Sequence, residues 1–232
     1  MYLIHHGSKI YYEVTGNKKL GSIVFLHGWL SSHKFFDFVK NSKIAENYEL
    51  VFLDFLGFGN SDNPADEKMH AIESFAEQAC HTIDSLNIEN PIIVAHSMGG
   101  VVALECAKKN IIKKIILFNA PLKDGWISET MIFVGRLIMS RSLKGMRAVL
   151  QKKNLPEEIS KLDVPVSVLY GEKDYWIRHD QDILERLRKL KNVELLKMNC
   201  GHNAMFSRKK MFGIALENLL LQNNSETNVR QL

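Results

Sequence analysis

The sequence predicts an α/β protein: a mostly parallel central sheet, helices on both faces and a short helical insertion. Three observations carry that expectation. Short, wholly apolar runs recur at Ile23–Leu26, Leu50–Leu53, Ile92–Ala95 and Ile115–Phe118, as expected of strands buried on both faces of a parallel sheet. Helical periodicity fills the intervals, most clearly from Ile72 to Leu86. At the centre, the β-branched run Ile92-Ile93-Val94 leads through Ala95-His96-Ser97-Met98-Gly99-Gly100 into the apolar stretch Val101 to Ala107. That is a strand, a tight turn and a helix with Ser97 at the corner. Strands alternating with helices predict a doubly wound sheet that binds its ligands at the carboxyl ends of the strands.

Each element has its own local cause. Lys9 to Val14 alternates and Gly16-Asn17 is a turn signal, so the first residues predict an edge strand or hairpin. Ile23–Leu26 stops abruptly at His27-Gly28-Trp29. Ser31 to Ala45 has helical character, with Phe35, Phe38, Val39 and Ser42 on one side, and Leu50–Leu53 ends in the glycine-containing turn Asp54 to Asp62. Phe75, Ala76, Ala79, Cys80, Ile83 and Leu86 line one face of an amphipathic helix, which places Cys80 in the core. The helix after Ser97 is expected to end near Asn110, before the strand Ile115–Phe118.

From Pro121 to about Asp163 the rhythm breaks, and the stretch is helical and methionine-rich with no strand pattern. Strand character resumes at Pro165–Tyr170 and ends at Gly171-Glu172-Lys173-Asp174. A helix burying Ile183, Leu184, Leu187 and Leu190 follows, then a last strand, Val193–Met198, leading to Asn199-Cys200-Gly201-His202. A final helix, Met211 to Leu220, packs Phe212, Ala215, Leu216 and Leu219, and the polar end from Asn223 is expected to fray.

Composition narrows the class. At 232 residues the chain is long enough for one sizeable core. With 46% hydrophobic and 24% charged residues it lies outside the disordered, collagenous and membrane-spanning classes. The net charge of +4 is mildly basic, and no recognised motif or interleaved aromatic pattern accompanies it, so nucleic-acid binding is not expected. The 3 cysteines are odd in number and lack C-x-x-C spacing, which argues against a disulfide framework or zinc site and fits a reducing, cytoplasmic location. The 9 histidines show no metal-ligand spacing. Met1 to Tyr12 has no signal-peptide pattern, and no later run is long and apolar enough for a membrane span.

A serine hydroxyl is a weak nucleophile unless held exposed beside a base. A strand-to-helix corner does that, provided small neighbours such as Gly99 and Gly100 let strand and helix approach. The helix start aims its free backbone NH groups at the reacting atom, and the Met98 NH is the natural oxyanion donor. Ala95 to Gly99 resembles the G-x-S-x-G nucleophile elbow of the α/β-hydrolase superfamily, with Ala95 in place of the first glycine. Asp54 to Ser61 likewise resembles its D-x-x-G-x-G-x-S turn, where the acid has a structural role.

The resemblance spans Ile23 to Leu220 and implies the α/β-hydrolase fold, with a core of residues 1–120 and 164–232 and a short helical cap, or lid, at 121–163. It implies Ser97, Asp174 and His202 as catalytic residues in the superfamily's chain order, with Glu172 as the alternative acid. It also implies Trp29 and Met98 as the oxyanion hole, His27 as a loop-orienting residue, and Trp29, Met131 and Met139 as substrate-binding. No cofactor or metal is expected. Serine at the elbow argues against the dehalogenases and epoxide hydrolases of this fold, whose nucleophile is aspartate. The expected partner is a small-molecule acyl ester. The cap carries Arg136, Arg141, Lys144, Arg147, Lys152 and Lys153 with no acid between Met131 and Lys153, so a basic face toward an acidic acyl carrier protein is a second expectation. With the His27-Gly28-Trp29 opening, it is similar to the pimeloyl-carrier methyl ester esterases. A lyase of the menaquinone-pathway type and a ligand-binding receptor bearing the same residues stand as alternatives from other classes.

Overall fold

Tyr2–His5 (β1) and Ser8–Gly16 (β2) form an antiparallel hairpin at one edge of an eight-stranded sheet. The remaining strands are Ser22–Leu26 (β3), Glu49–Leu53 (β4), Ile92–His96 (β5), Lys114–Phe118 (β6), Val166–Gly171 (β7) and Val193–Met198 (β8). Their order is β1-β2-β4-β3-β5-β6-β7-β8, with every pairing from β4 to β8 parallel. This computed structural model describes residues 1–121, 154–177, 180–203 and 208–221. Most of the expected cap, including Met131, Met139 and its six cations, lies outside the described residues, as does the end of the chain from residue 222.

The described helices are Lys43–Asn47 (α1), Ile72–Ser85 (α2), Met98–Ala107 (α3), Leu155–Ser160 (α4), Gln181–Arg188 (α5) and Lys209–Leu221 (α6). No described helix is long and apolar enough to cross a membrane. The wholly apolar runs are divided between two cores by the alternation of a strand. Val24, Leu26, Val51 and Leu53 enter one core with side chains of α2 to α5. Ile23, Phe25, Leu50 and Phe52 enter the other with Phe35, Phe36, α1 and α6. Fully burying side chains of this size stabilises by about 1.5–3 kcal/mol each, so both faces of the central strands must be apolar.

The first residues form the expected edge hairpin, which turns at His6-Gly7 with φ of 48° and 78°, and Gly16, with φ 84°, turns the chain out of β2. A histidine in the left-handed region carries no turn signal in the sequence, so the pairing of β1 with β2 decides it. The helical stretch from Ser31 to Ala45 is split into a short 3-10 segment, His33–Val39, and α1. Ser42 makes the break: its hydroxyl donates to the Val39 carbonyl at 2.8 Å and accepts from the Ile44 NH at 3.2 Å, ending one segment and capping the next.

Because β3 to β8 run parallel, their carboxyl ends share one edge. Leu26 pairs with Ala95, His96 with Phe118, and Gly171 with Met198. The segments following those ends therefore meet there, although they lie far apart in sequence.

Candidate active site

Ser97 joins β5 to α3 with φ 50° and ψ −121°, a conformation that L-residues adopt only under constraint. Its backbone is pinned by donation of its NH to the Phe118 carbonyl at 2.9 Å and by acceptance from the Gly100 NH at 2.8 Å. Close approach explains the neighbouring glycines. A Cβ at position 99 would lie 2.3 Å from the Leu26 carbonyl oxygen, and one at position 28 would lie 2.8 Å from His96 Nδ1 and 3.1 Å from Ser97 Cβ. Ala95 causes no conflict, since its methyl is fully buried within β5. Serine is a favoured N-cap, yet Ser97 Oγ does not cap α3. It lies instead 3.1 Å from His202 Nε2.

His202 continues the line. Its Nδ1 lies 2.8 Å from Asp174 Oδ2, so Nδ1–H donates to the carboxylate and Nε2 is left to accept from the serine hydroxyl. The other carboxylate oxygen, Oδ1, accepts from the backbone NH groups of Trp176 at 3.0 Å and Ile177 at 2.9 Å. Glu172, the alternative acid, is ion-paired with Lys197 instead. The indole of Trp176, 48% exposed, stacks on His202 with a 5.6 Å centroid separation and a 5° interplanar angle.

The expected oxyanion donors occupy the neighbouring strand ends. Met98 is the first residue of α3, where NH groups lack partners within the helix. Trp29 follows Gly28 and packs half-buried against the core of α2 and α3. His27 orients this loop, its Nδ1–H donating to the Gly28 carbonyl at 2.7 Å and its Nε2 accepting from the Phe55 NH at 3.1 Å. Asp54, fully buried, is committed to the His33 and Asn60 NH groups at 2.6 and 2.8 Å, in keeping with a structural role. Cys80 is core, 3.1 Å from Cys106 Sγ, and burial pushes the Cys200 thiol up to about 11, keeping it protonated.

Sequence reasoning missed two residues that hold the histidine loop. Asn119, just beyond β6 with φ 44°, donates through Nδ2 to the carbonyls of His202 at 2.9 Å and Gly201 at 3.2 Å. Its Oδ1 accepts from the Gly171 NH at 2.7 Å, so one side chain ties the ends of β6 and β7 to the loop. A polar residue directly after an apolar strand was the available signal. His96 supports the same loop, donating through Nε2 to the His202 carbonyl at 3.1 Å and stacking on Phe35.

Burial, then the adjacent His202, pushes His96 well below its ordinary range, and burial likewise lowers His27 and His5. These rings take up protons less readily in the native state than in the unfolded chain, whose histidines are protonated near pH 6.5. Below that pH the unfolded state binds more protons, so stability is full above it and is lost as pH falls. The melting temperature is expected to be level above about pH 7 and to fall steadily toward pH 5. A melting temperature that rises on acidification contradicts this.

A mostly parallel sheet with this strand-to-helix corner at its carboxyl edge defines the class, a hydrolase of the α/β type. A sequence model of the alpha/beta hydrolase family matches residues 23–161, and the chain belongs to that family. YisY of Bacillus subtilis (strain 168), an AB hydrolase superfamily protein, is 25% identical over 236 residues, covering 81% of this chain and 87% of YisY. Among solved structures, MGS-M2, an alpha/beta hydrolase enzyme from a Medee basin deep-sea metagenome library, superposes with a TM-score of 0.79 at 20% identity, over 99% of this chain and 100% of its own. The enol-lactonase from Burkholderia xenovorans LB400 gives 0.78 at 15% identity, over 96% and 100%. At these identities the structural likeness is one of fold.

Proposed function

We propose that this hydrolase cleaves a small or medium carboxylic ester through an acyl-serine intermediate. The observation that carries the reading is the unbroken line from Ser97 Oγ through His202 to Asp174, at 3.1 and 2.8 Å. Ser97 Oγ attacks the ester carbonyl carbon as its proton passes to His202 Nε2. Asp174 holds the ring in the tautomer that can accept that proton and stabilises the imidazolium. The carbonyl oxygen becomes an oxyanion facing the NH groups of Met98 and Trp29. When the tetrahedral adduct collapses, its C–O bond to the alcohol breaks and His202 returns the proton to the leaving alcohol. Water then adds to the acyl-serine by the same route, releasing the acid and restoring Ser97. The enol-lactonase offers support by analogy, since a lactone is a cyclic ester.

A carrier-borne ester is the second reading, favoured by the six cap cations without an intervening acid between Met131 and Lys153. One experiment addresses both readings. Labelling with a fluorophosphonate is expected at Ser97, followed by turnover in a panel of free esters graded by acyl length, run beside a methyl ester borne on an acyl carrier protein. Prompt labelling without turnover of any ester overturns hydrolysis in favour of a lyase or receptor. A marked preference for the carrier-borne member selects the second reading.

Asn119 is the positioning residue of this site. Asn119→Ala frees the His202 loop and leaves the Gly171 NH, which Asn119 accepts, without its partner. With the imidazole displaced, kcat on the best ester is expected to fall by about 10²-fold. KM should stay nearly unchanged, because ground-state binding is untouched. A raised KM at wild-type kcat would remove the positioning role.

A further inference from the structure

The β1–β2 hairpin lies at the sheet edge, four strands from β5, and turns through His5, His6 and Gly7. The His6 ring lies 4.3 Å from that of His5, and the His81 ring of α2 lies 5.2 Å from it. Glu77 is one helical turn before His81, so the two share a face of α2. One ligand atom from each of His5, His6 and Glu77 falls within 4.8 Å of the others. His5 is only 8% exposed, and its buried Nε2 has no hydrogen-bond partner among the described residues. Buried polar nitrogens are normally paired, so this one calls for an explanation.

We propose that His5, His6 and Glu77 form a binding site for a divalent transition-metal ion of the zinc type, tying the β1–β2 hairpin to α2. Two imidazole nitrogens and one carboxylate oxygen suit zinc, whereas calcium and magnesium take oxygen donors. Metal–ligand bonds of about 2.0–2.2 Å bring such atoms nearer than 4.8 Å to one another, a small side-chain adjustment on an exposed hairpin. Glu77 pairs with Lys109 at 3.3 Å, but both side chains are about half exposed and such a pair is readily given up. His81 donates through Nε2 to the Ile4 carbonyl at 3.0 Å, securing α2 to the hairpin beside the site. Two adjacent histidines and a glutamate 71 positions after the second form no ligand spacing in the sequence, and only the packing of β1 on α2 assembles them.

The proposal is independent of the ester reading. Zn²⁺ titrated calorimetrically into the full chain, free of any affinity tag and treated with chelator beforehand, is expected to bind one ion per chain at this site and to raise the melting temperature. His6→Ala and Glu77→Gln replace exposed side chains, so both variants are expected to keep the wild-type circular dichroism. Each should weaken binding by at least about tenfold and abolish the thermal gain. Absence of saturable binding, or an affinity unchanged in either variant, overturns the proposal.

Discussion

Ser97→Ala is expected to abolish ester turnover, with a loss of about 10⁶-fold in kcat, while the protein folds as before. The reason is local. The Ser97 hydroxyl, 3.1 Å from His202 Nε2, does not cap α3, so its removal deletes the proposed nucleophile and costs the helix no hydrogen bond. The backbone hydrogen bonds that pin the corner do not involve the side chain, and alanine is held at the same φ of 50°. The residual rate is expected to come from the proposed oxyanion donors and substrate binding alone. The checks are kcat on the best ester of the panel, loss of fluorophosphonate labelling and an unchanged thermal melt. Activity within tenfold of wild type would exclude Ser97 as the nucleophile.

Asp174→Asn is expected to lower kcat by about 10⁴-fold, again with little change in fold. Asp174 Oδ1 accepts two backbone NH groups, from Trp176 and Ile177. An asparagine must keep its carbonyl oxygen on those donors, because its amide nitrogen cannot accept. The NH₂ group then faces His202 Nδ1, which must become the acceptor, and the ring proton moves to Nε2. There it confronts the Ser97 hydroxyl and cannot take its proton. Glu172→Gln is the matching control and should leave the rate unchanged, because Glu172 is paired with Lys197. If Asp174→Asn retained full activity while Glu172→Gln lost it, the assignment of the acid would pass to Glu172.

The strands were the most legible part of the chain. Val193–Met198 falls where the apolar pattern puts it, and Ile92–His96 runs one residue beyond the predicted run. Strand length and burial on both faces are written in consecutive residues, so local inspection finds them. The Ser31 to Ala45 stretch was less legible, because Ser42 can serve as a helical residue or as a break and its partners settle which. The hairpin turn at His6 was not legible at all, since its strained backbone is imposed by strand pairing.

The candidate site divides in the same way. That Ser97, Asp174 and His202 each follow a strand could be read from the sequence, as could the glycines around the corner. Asn119 stood out only as a polar residue after an apolar strand, and the partner that it and His96 hold, the backbone of a residue 83 and 106 positions away, respectively, was not legible.

By itself the sequence determined which chemical groups stand at which strand ends, since apolar run length, turn chemistry and helix periodicity act over a few neighbouring residues. Only the tertiary structure decided that an alcohol and an imidazole 105 positions apart come within 3.1 Å, and that two turn histidines meet a helix glutamate across the hairpin. The first distance follows from strand order and parallel register and the second from the packing of α2 against β1, both set by segments that carry no mark of one another in the sequence.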